Sequence, residues 1–243
     1  MKTKKLVLGH GDKGGVGKST LISLAVDFAL GKYGQVAVVE GDETIDDVAR
    51  RFEAVPGVTG YMVDLARPDA SEEAVIGLFE ELERGGLPEV VVINTPASAS
   101  ATLDKQASIF IDAAHDMGYS VRVGWMLGPD ENSAALSMQS ELCKLADRRI
   151  AIINERFGDG KRFVWAKHPA RSAWLAAGGL ESALPALTDS AVNAVRDHMG
   201  RYTVLAAPGP DSPLSTITRR YVGDWARKAF AGPVGMLFAD DGE

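Results

Sequence analysis

The sequence predicts an α/β protein: a single doubly wound, mostly parallel sheet with helices on both faces. Three observations carry that prediction. An apolar stretch at Leu6-Val7-Leu8 runs through a glycine-rich turn into an amphipathic pattern at Leu21, Leu24, Ala25 and Phe28. A second strand, Gln35 to Glu40, follows within about 30 residues, the spacing of a right-handed βαβ unit, which implies parallel strands. Val90-Val91-Val92-Ile93 is apolar at every position rather than at alternate ones, as a central strand covered on both faces must be.

The remaining elements follow in order. The first helix is expected to end at Gly31. Residues 53–69 carry Pro56, Gly57, Gly60 and Pro68 and read as irregular, with a short strand at Tyr61-Met62-Val63. Ser71 to Arg84 reads as a helix capped by Ser71, with Glu72 and Glu73 in its first turn and Val75, Leu78, Phe79 and Leu82 on its buried face. Helix at Thr102–Met117, strand at Ser120–Leu127, helix at Ser133–Ala146 and strand at Arg149–Ile153 come next. Beyond them lie a short extended piece at Phe163-Val164-Trp165 and a helix after His168-Pro169. A strand near Leu180 followed by Pro185 and a helix at Ala191–Met199 come after these. The last helix runs from Ser212-Pro213 through Ile217, Tyr221, Trp225 and Phe230 to Gly232-Pro233. Residues 1–243 read as one domain, with a flexible tail from about residue 233.

Composition narrows the function. Apolar residues make up 46% of the chain, yet none of its runs reaches the roughly 18 residues of a membrane span. No secretory signal is visible, and a single cysteine, Cys143, excludes an internal disulfide framework, so a reducing cytoplasm is expected. Cys143 sits in a helical pattern with Leu142 and Leu145 and reads as core. A net charge of −7 argues against a generally basic nucleic-acid binder. The four histidines show no metal-ligand spacing, and His10, beside the glycine-rich turn, reads as structural.

The chemistry concentrates in Gly11-Asp12-Lys13-Gly14-Gly15-Val16-Gly17-Lys18-Ser19-Thr20. Strand, glycine-rich turn and helix start form the context of a phosphate-binding loop. Gly14, Gly15 and Gly17 let backbone N–H groups approach an oxyanion, and the helix beginning near Lys18 adds its own unsatisfied N–H groups. Lys18 reaches outer phosphates and the Ser19 hydroxyl suits a nucleotide's Mg²⁺. The candidate nucleotide-binding residues are thus Asp12, Gly14, Gly15, Val16, Gly17, Lys18, Ser19 and Thr20. Asp12 departs from the usual pattern, standing where its first glycine is expected.

Lys13-Gly14-Gly15-Val16-Gly17-Lys18-Ser19 resembles the deviant Walker A motif of the ParA/MinD family. That resemblance implies a P-loop ATPase that binds ATP and Mg²⁺ and forms a nucleotide-sandwiched homodimer. In that dimer Lys13 would reach across to the other subunit's phosphates, as an arginine finger does. Asp42, just past the second strand, resembles the aspartate that positions the attacking water and the magnesium shell, with Glu40 and Glu43 as alternatives. Ile93-Asn94-Thr95-Pro96-Ala97 resembles the family's switch II, with Asn94 in place of an aspartate. An asparagine brings no charge, which points to weaker metal binding and slow hydrolysis. Asn154, just past a strand, resembles the family's adenine-reading residue, and it reads equally as a turn-forming asparagine. Pro208 is a candidate lining residue of the base pocket. Together, Asp12, Gly41-Asp42-Glu43 and the Asn94 segment look most like the StbB-type branch, plasmid-encoded ATPases linked to stability and conjugation.

The resemblance implies a switch read by a partner protein, such as a DNA-binding adaptor, in plasmid or DNA positioning. Two other readings stay open: a non-hydrolysing nucleotide-binding adaptor, and a small-molecule ligase of the dethiobiotin or cobyrinic acid type. The single cysteine excludes the nitrogenase iron protein, whose subunits each need two. Basic residues at Arg148-Arg149, Lys161-Arg162, Lys167, Arg171, Arg219-Arg220 and Arg227-Lys228 would allow nonspecific DNA contact if they shared a face. No membrane attachment is expected, because the apolar tail is followed by Asp240, Asp241 and Glu243.

Overall fold

The computed structural model describes residues 3–11, 13–42, 47–209 and 212–240. Among these residues, seven strands form one sheet: β1 (Lys4–His10), β2 (Val36–Glu40), β3 (Val58–Met62), β4 (Val90–Asn94), β5 (Tyr119–Leu127), β6 (Arg148–Asn154) and β7 (Leu180–Leu184). Their order is β3-β2-β4-β1-β5-β6-β7, and every pairing is parallel. Among the described residues, twelve α-helices cover the two faces. They are α1 (Lys18–Tyr33), α2 (Asp47–Phe52), α3 (Ser71–Arg84), α4 (Ala99–Lys105), α5 (Ala107–Asp116), α6 (Glu131–Ser137), α7 (Glu141–Leu145), α8 (Pro169–Ala176), α9 (Asp189–Arg196), α10 (Tyr202–Leu205), α11 (Thr216–Ala231) and α12 (Pro233–Phe238).

Alternate strand residues feed opposite cores, which is why the central strands read as unbroken apolar runs. Leu6, Leu8, Val91 and Ile93 pack with Leu78, Phe79 and Phe110 from α3 and α5 on one face. Val7, Val90 and Val92 pack with Leu21, Ile22, Val26 and the C-terminal Trp225 and Phe238 on the other.

Several boundaries differ from expectation, each for a local reason. Gly31 stays inside α1, which ends instead at Gly34, whose φ of 78° supplies the left-handed cap. The expected strand near Tyr61 begins earlier, at Val58, as an edge strand on β2. Ser71 does not cap α3: a 3₁₀ turn from Pro68 to Ala70 leads in, and the buried Ser71 hydroxyl accepts from Gln106. The helix expected at 102–117 breaks at Gln106 into α4 and α5. The one expected at 133–146 breaks into α6 and α7, because Ser140 accepts from Cys143 N and starts a new helix. Phe163-Val164-Trp165 lies at the start of a 3₁₀ turn rather than in an extended strand. The last long helix starts at Thr216, capped by Ser215, and Ile217 and Tyr221 face outward. The expected flexible tail is a helix from Pro233 to Phe238, because Val234, Leu237 and Phe238 are fully buried against the sheet.

A buried ionic knot ties the C-terminal third to α1. Asp27, fully buried, accepts from Arg201 Nε at 2.7 Å, Thr203 N at 2.8 Å and Thr203 Oγ1 at 2.7 Å. No helix among the described residues is long and apolar enough to cross a membrane.

Candidate nucleotide site

The carboxyl ends of β1, β2 and β4 converge, and the loops leaving them enclose a cavity of about 530 Å³. Gly14, Gly15, Gly17, Lys18, Ser19 and Thr20 line one side, with Asp42, Asn94, Thr95 and Pro96 opposite. A side chain on Gly14 or Gly15 would meet nothing within 4 Å, so both backbones lie open to the cavity. Gly17 is fixed by geometry: its φ is 107°, and an added Cβ would come within 2.4 Å of Asn154 Nδ2. Val16 is buried and contributes its carbonyl, which accepts from Asn154 Nδ2 at 2.9 Å. The Lys18 ammonium, 7% exposed as a residue, donates to the Gly11 carbonyl at 3.1 Å and the Lys13 carbonyl at 2.8 Å.

Across the cavity, Asn94 Nδ2 lies 3.4 Å from Ser19 Oγ and donates to Glu40 Oε2 at 2.8 Å. Asn94 Oδ1 is buried and has no hydrogen-bond partner among the described residues. Glu40 is fully buried and holds the start of α2, its Oε1 accepting from Val48 N at 2.6 Å and Ala49 N at 2.9 Å. Burial pushes its carboxyl above the usual carboxylate range, and the donated hydrogen bonds pull it back. Ser19 and Asp42, an oxygen-donor pair suited to Mg²⁺ arriving with a nucleotide, border the same space, while Asn94 turns its NH₂ toward Ser19. Such an ion takes few protein ligands and keeps water, and no cluster of three His, Cys, Asp or Glu side chains suited to a metal occurs among the described residues.

Beneath the loop, fully buried His10 pairs its Nδ1 with Thr95 Oγ1 at 3.3 Å and packs edge-on against Trp125. Its place fits the structural role read from the sequence.

Lys13 does not line this cavity. It points outward, and its Nζ meets Asp130 Oδ2 at 2.7 Å. The Lys13 ammonium holds that carboxyl below the usual range. Asn154 is 6% exposed and works at both ends of its amide, donating to Val16 O and accepting from Arg156 N at 3.1 Å. It borders a second, apolar cavity of about 100 Å³ with Thr20, Pro185, Leu187, Tyr202 and Trp225. Thr20 lines both cavities and links them. Pro208 lies elsewhere, exposed on a separate groove along α11 with Ile217, Arg220 and Tyr221. α10 lies just before Pro208, and it is Tyr202 at its start that borders the apolar cavity. Asp12 and Glu43 lie outside the described residues.

The sequence reading missed the tie between Glu40 and Asn94, whose signal was two strand-final residues on neighbouring strands. It also missed Asp130, which is recognisable only as the helix cap it additionally is. At least half of the named basic residues have partners within the chain. Arg148 donates to Met236 O, Arg149 to Cys143 O and Ala177 O, Arg171 pairs with Glu181, and Arg227 and Lys228 pair with Asp224.

Against solved structures, the chain aligns over 92% of its length with the septum site-determining protein MinD of Pyrococcus horikoshii, complexed with Mg-ADP. The match covers 95% of that chain at 16% identity with a TM-score of 0.51. The fold is that of the MinD-type P-loop NTPases. The MinC:MinD cell division complex of Aquifex aeolicus matches at 15% identity over 93% of this chain and 96% of that one, with a TM-score of 0.48. A ParA family ATPase of Chlorobium tepidum matches at 18% identity over 93% and 98%, with a TM-score of 0.44. No family model and no curated protein matches the sequence. At such identities the MinD likeness speaks for the architecture, and function must be argued from the site.

Proposed function

We propose that the chain is an ATP-dependent switch ATPase of the ParA/MinD type that dimerises around bound nucleotide and is read by a partner protein. The observation that carries this reading is the convergence of Gly14–Thr20, Asp42 and Asn94 on one cavity at the carboxyl ends of parallel strands. Backbone N–H groups of residues 14–20 would hold the phosphates and Lys18 would turn from its carbonyl partners to the outer ones. Ser19 and Asp42 would face the magnesium ion, which when bound neutralises phosphate charge. Asp42 would orient a water for addition to the γ-phosphorus, breaking its bond to the bridging oxygen to yield ADP and phosphate. Thr20 leads from the phosphates to the apolar cavity beside Asn154, the natural place for adenine.

Lys13 faces away from its own cavity and stands half exposed, a position suited to the phosphates of a second copy once it leaves Asp130. Cytoplasmic work in plasmid or DNA positioning, stability or conjugation, as in the StbB-type branch, follows from the motif resemblance. A second reading, a nucleotide-holding adaptor that does not hydrolyse, is favoured by Asn94, whose amide brings no charge to the metal side.

Solution mass by light scattering tests the switch, with Mg²⁺ and a slowly hydrolysed ATP analogue against an ADP control. The wild type is expected to shift from monomer to dimer, and Lys13→Ala to remain monomeric while still binding nucleotide. Nucleotide binding without any change of mass in either protein would sink the dimer mechanism and leave the adaptor.

A further inference from the structure

The last long helix leaves a groove open on its outer side. α11 and the residues just after α10 enclose about 720 Å³, with Ala206 and Pro208 on one wall and Ile217, Arg220, Tyr221 and Arg227 on the other. Ile217 and Tyr221, one turn apart, are 64% and 54% exposed, while Val222, Trp225 and Ala226 on the other side of the helix fill the core. Arg220, Gly223 and Arg227 form a row beside them, and Gly223 is the gap in that row. Neither a positive φ nor a clash requires glycine there, since an added Cβ would stand 3.5 Å from Ala206 Cβ, an ordinary contact. Glycine disfavours a helix interior relative to alanine, so the open floor is kept against helix propensity.

We propose that this groove docks an acidic amphipathic helix of a partner protein. The apolar side of that helix would lie on Pro208, Ile217 and Tyr221, over the floor that Gly223 leaves open, and its carboxylates would meet Arg220 and Arg227. Charge supports this occupant. The chain carries a net charge of −7, yet Arg219, Arg220 and Arg227 border the groove against Asp224 alone. Arg219 is tied to Gly209 O and Thr216 Oγ1, Arg227 shares Asp224 with Lys228, and Arg220 has no ion pair among the described residues. Arg220 and Arg227 stand about 10 Å apart along the helix axis, which matches two carboxylates two turns apart on a facing helix. A nucleic acid fits less well, because an acidic chain repels a polyanion and the middle of the groove is apolar. The groove gives a place to the partner of the reading above, and it rests on that reading only for the partner's link to nucleotide. Tyr202 borders the apolar cavity and Ala206, one turn on, borders the groove, so an occupant would sit against the element beside the base.

The test selects a phage-displayed library of random dodecapeptides on the full chain without nucleotide, and counter-selects on Gly223→Leu, whose side chain fills the floor. The most enriched peptide is then synthesised. Fluorescence anisotropy gives its affinity for wild type, Gly223→Leu and Arg220→Glu at low and high salt. Thermal midpoints report folding, and Arg220→Glu, at an exposed position, keeps the test open if Gly223→Leu fails to fold.

Enriched peptides should carry net negative charge, with apolar residues three or four positions apart. Affinity should fall at least about tenfold in either variant, and added salt should weaken the wild type more than Arg220→Glu. Neutral or basic peptides, no enrichment at all, or an affinity untouched by both substitutions would overturn the inference. So would a short DNA duplex that binds the wild type and is lost by Arg220→Glu, which would give the groove to nucleic acid. A mass that grows with concentration in the wild type but not in Arg220→Glu would also overturn it, giving the groove to a second copy through the glutamates of α3. Every arm runs without nucleotide, so failure here leaves the switch reading standing, and failure of the switch leaves the groove to be judged by its own result.

Discussion

The two cavities joined at Thr20 are built in opposite ways. The larger draws six lining residues from one stretch, Gly14 to Thr20, and closes it with Asn94 at the end of β4 and the loops after β2 and β4. The smaller is assembled from Thr20, Asn154, Pro185, Leu187, Tyr202 and Trp225, residues that meet only because the sheet places β6 and β7 beside each other. An oxyanion is held by backbone N–H groups, whose directions a short segment can fix alone. An apolar wall needs side chains from separate elements, so its shape depends on the whole fold. Gly17 is where the two constructions touch, since its Cα faces the Asn154 amide.

The largest effect should come from breaking that contact. Gly17→Ala forces a Cβ to within 2.4 Å of Asn154 Nδ2 at a backbone φ of 107°. The left-handed backbone costs about 1–2 kcal/mol and the displaced Asn154–Val16 bond about 1 more. Urea unfolding should register a loss of roughly 2–3 kcal/mol by the same principles, and nucleotide titration a loss of more than about 100-fold. A variant as stable as wild type and still binding would mean that the two cavities are independent.

Asn154→Ala sharpens the comparison with a smaller effect. It removes the donor to Val16 O and the acceptor for Arg156 N, an expected cost of about 1–2 kcal/mol. Adenine and guanine nucleotides should both bind more weakly, through the loosened loop. If Asn154 also faces the base, ATP should lose more than GTP and the preference should narrow. Equal losses would confine Asn154 to the phosphate side.

The same contrast explains what the sequence discloses. The loop was legible because the phosphate binding proposed for it needs a fixed backbone path, and glycines at 14, 15 and 17 with Lys18 and Ser19 write that path directly. The central strands were legible because burial on both faces leaves unbroken apolar runs, as at Val90–Ile93. Pro208 misled because proximity in space to Asn154 is set by strand order, and Pro185 at the end of β7 has the nearer place. The breaks at Gln106 and Ser140 were hidden because the apolar spacing continues across them while the hydrogen bonding restarts. Lys13 stands out by its spacing from Lys18, but its Asp130 partner lies 117 residues away, beyond any local signal.

The effect that is smallest at neutral pH concerns His10, the last residue of β1, beneath the glycine-rich loop and paired in register with Trp125. The Thr95 hydroxyl donates to Gly9 O at 2.7 Å, so at the 3.3 Å contact His10 Nδ1 must be the donor to Thr95. Its Nε2 is buried without a partner among the described residues. Burial first, and the Lys18 charge second, push the imidazole from 6.5 down to about 3. The unfolded chain therefore takes up this proton near pH 6.5 while the folded chain stays neutral, so stability is full above that pH and drains away as pH falls toward 3. The contribution is about 1.4 kcal/mol per pH unit within that window. Carboxylates titrate over part of the same range, so the measurement is the difference in unfolding free energy between wild type and His10→Phe from pH 7 to pH 4. The wild type should fall more steeply, and the two lines should run parallel above pH 6.5. Parallel lines throughout would mean that the imidazole accepts its proton in the folded protein as readily as in the unfolded one, and that the phosphate end tolerates a charge beneath its loop.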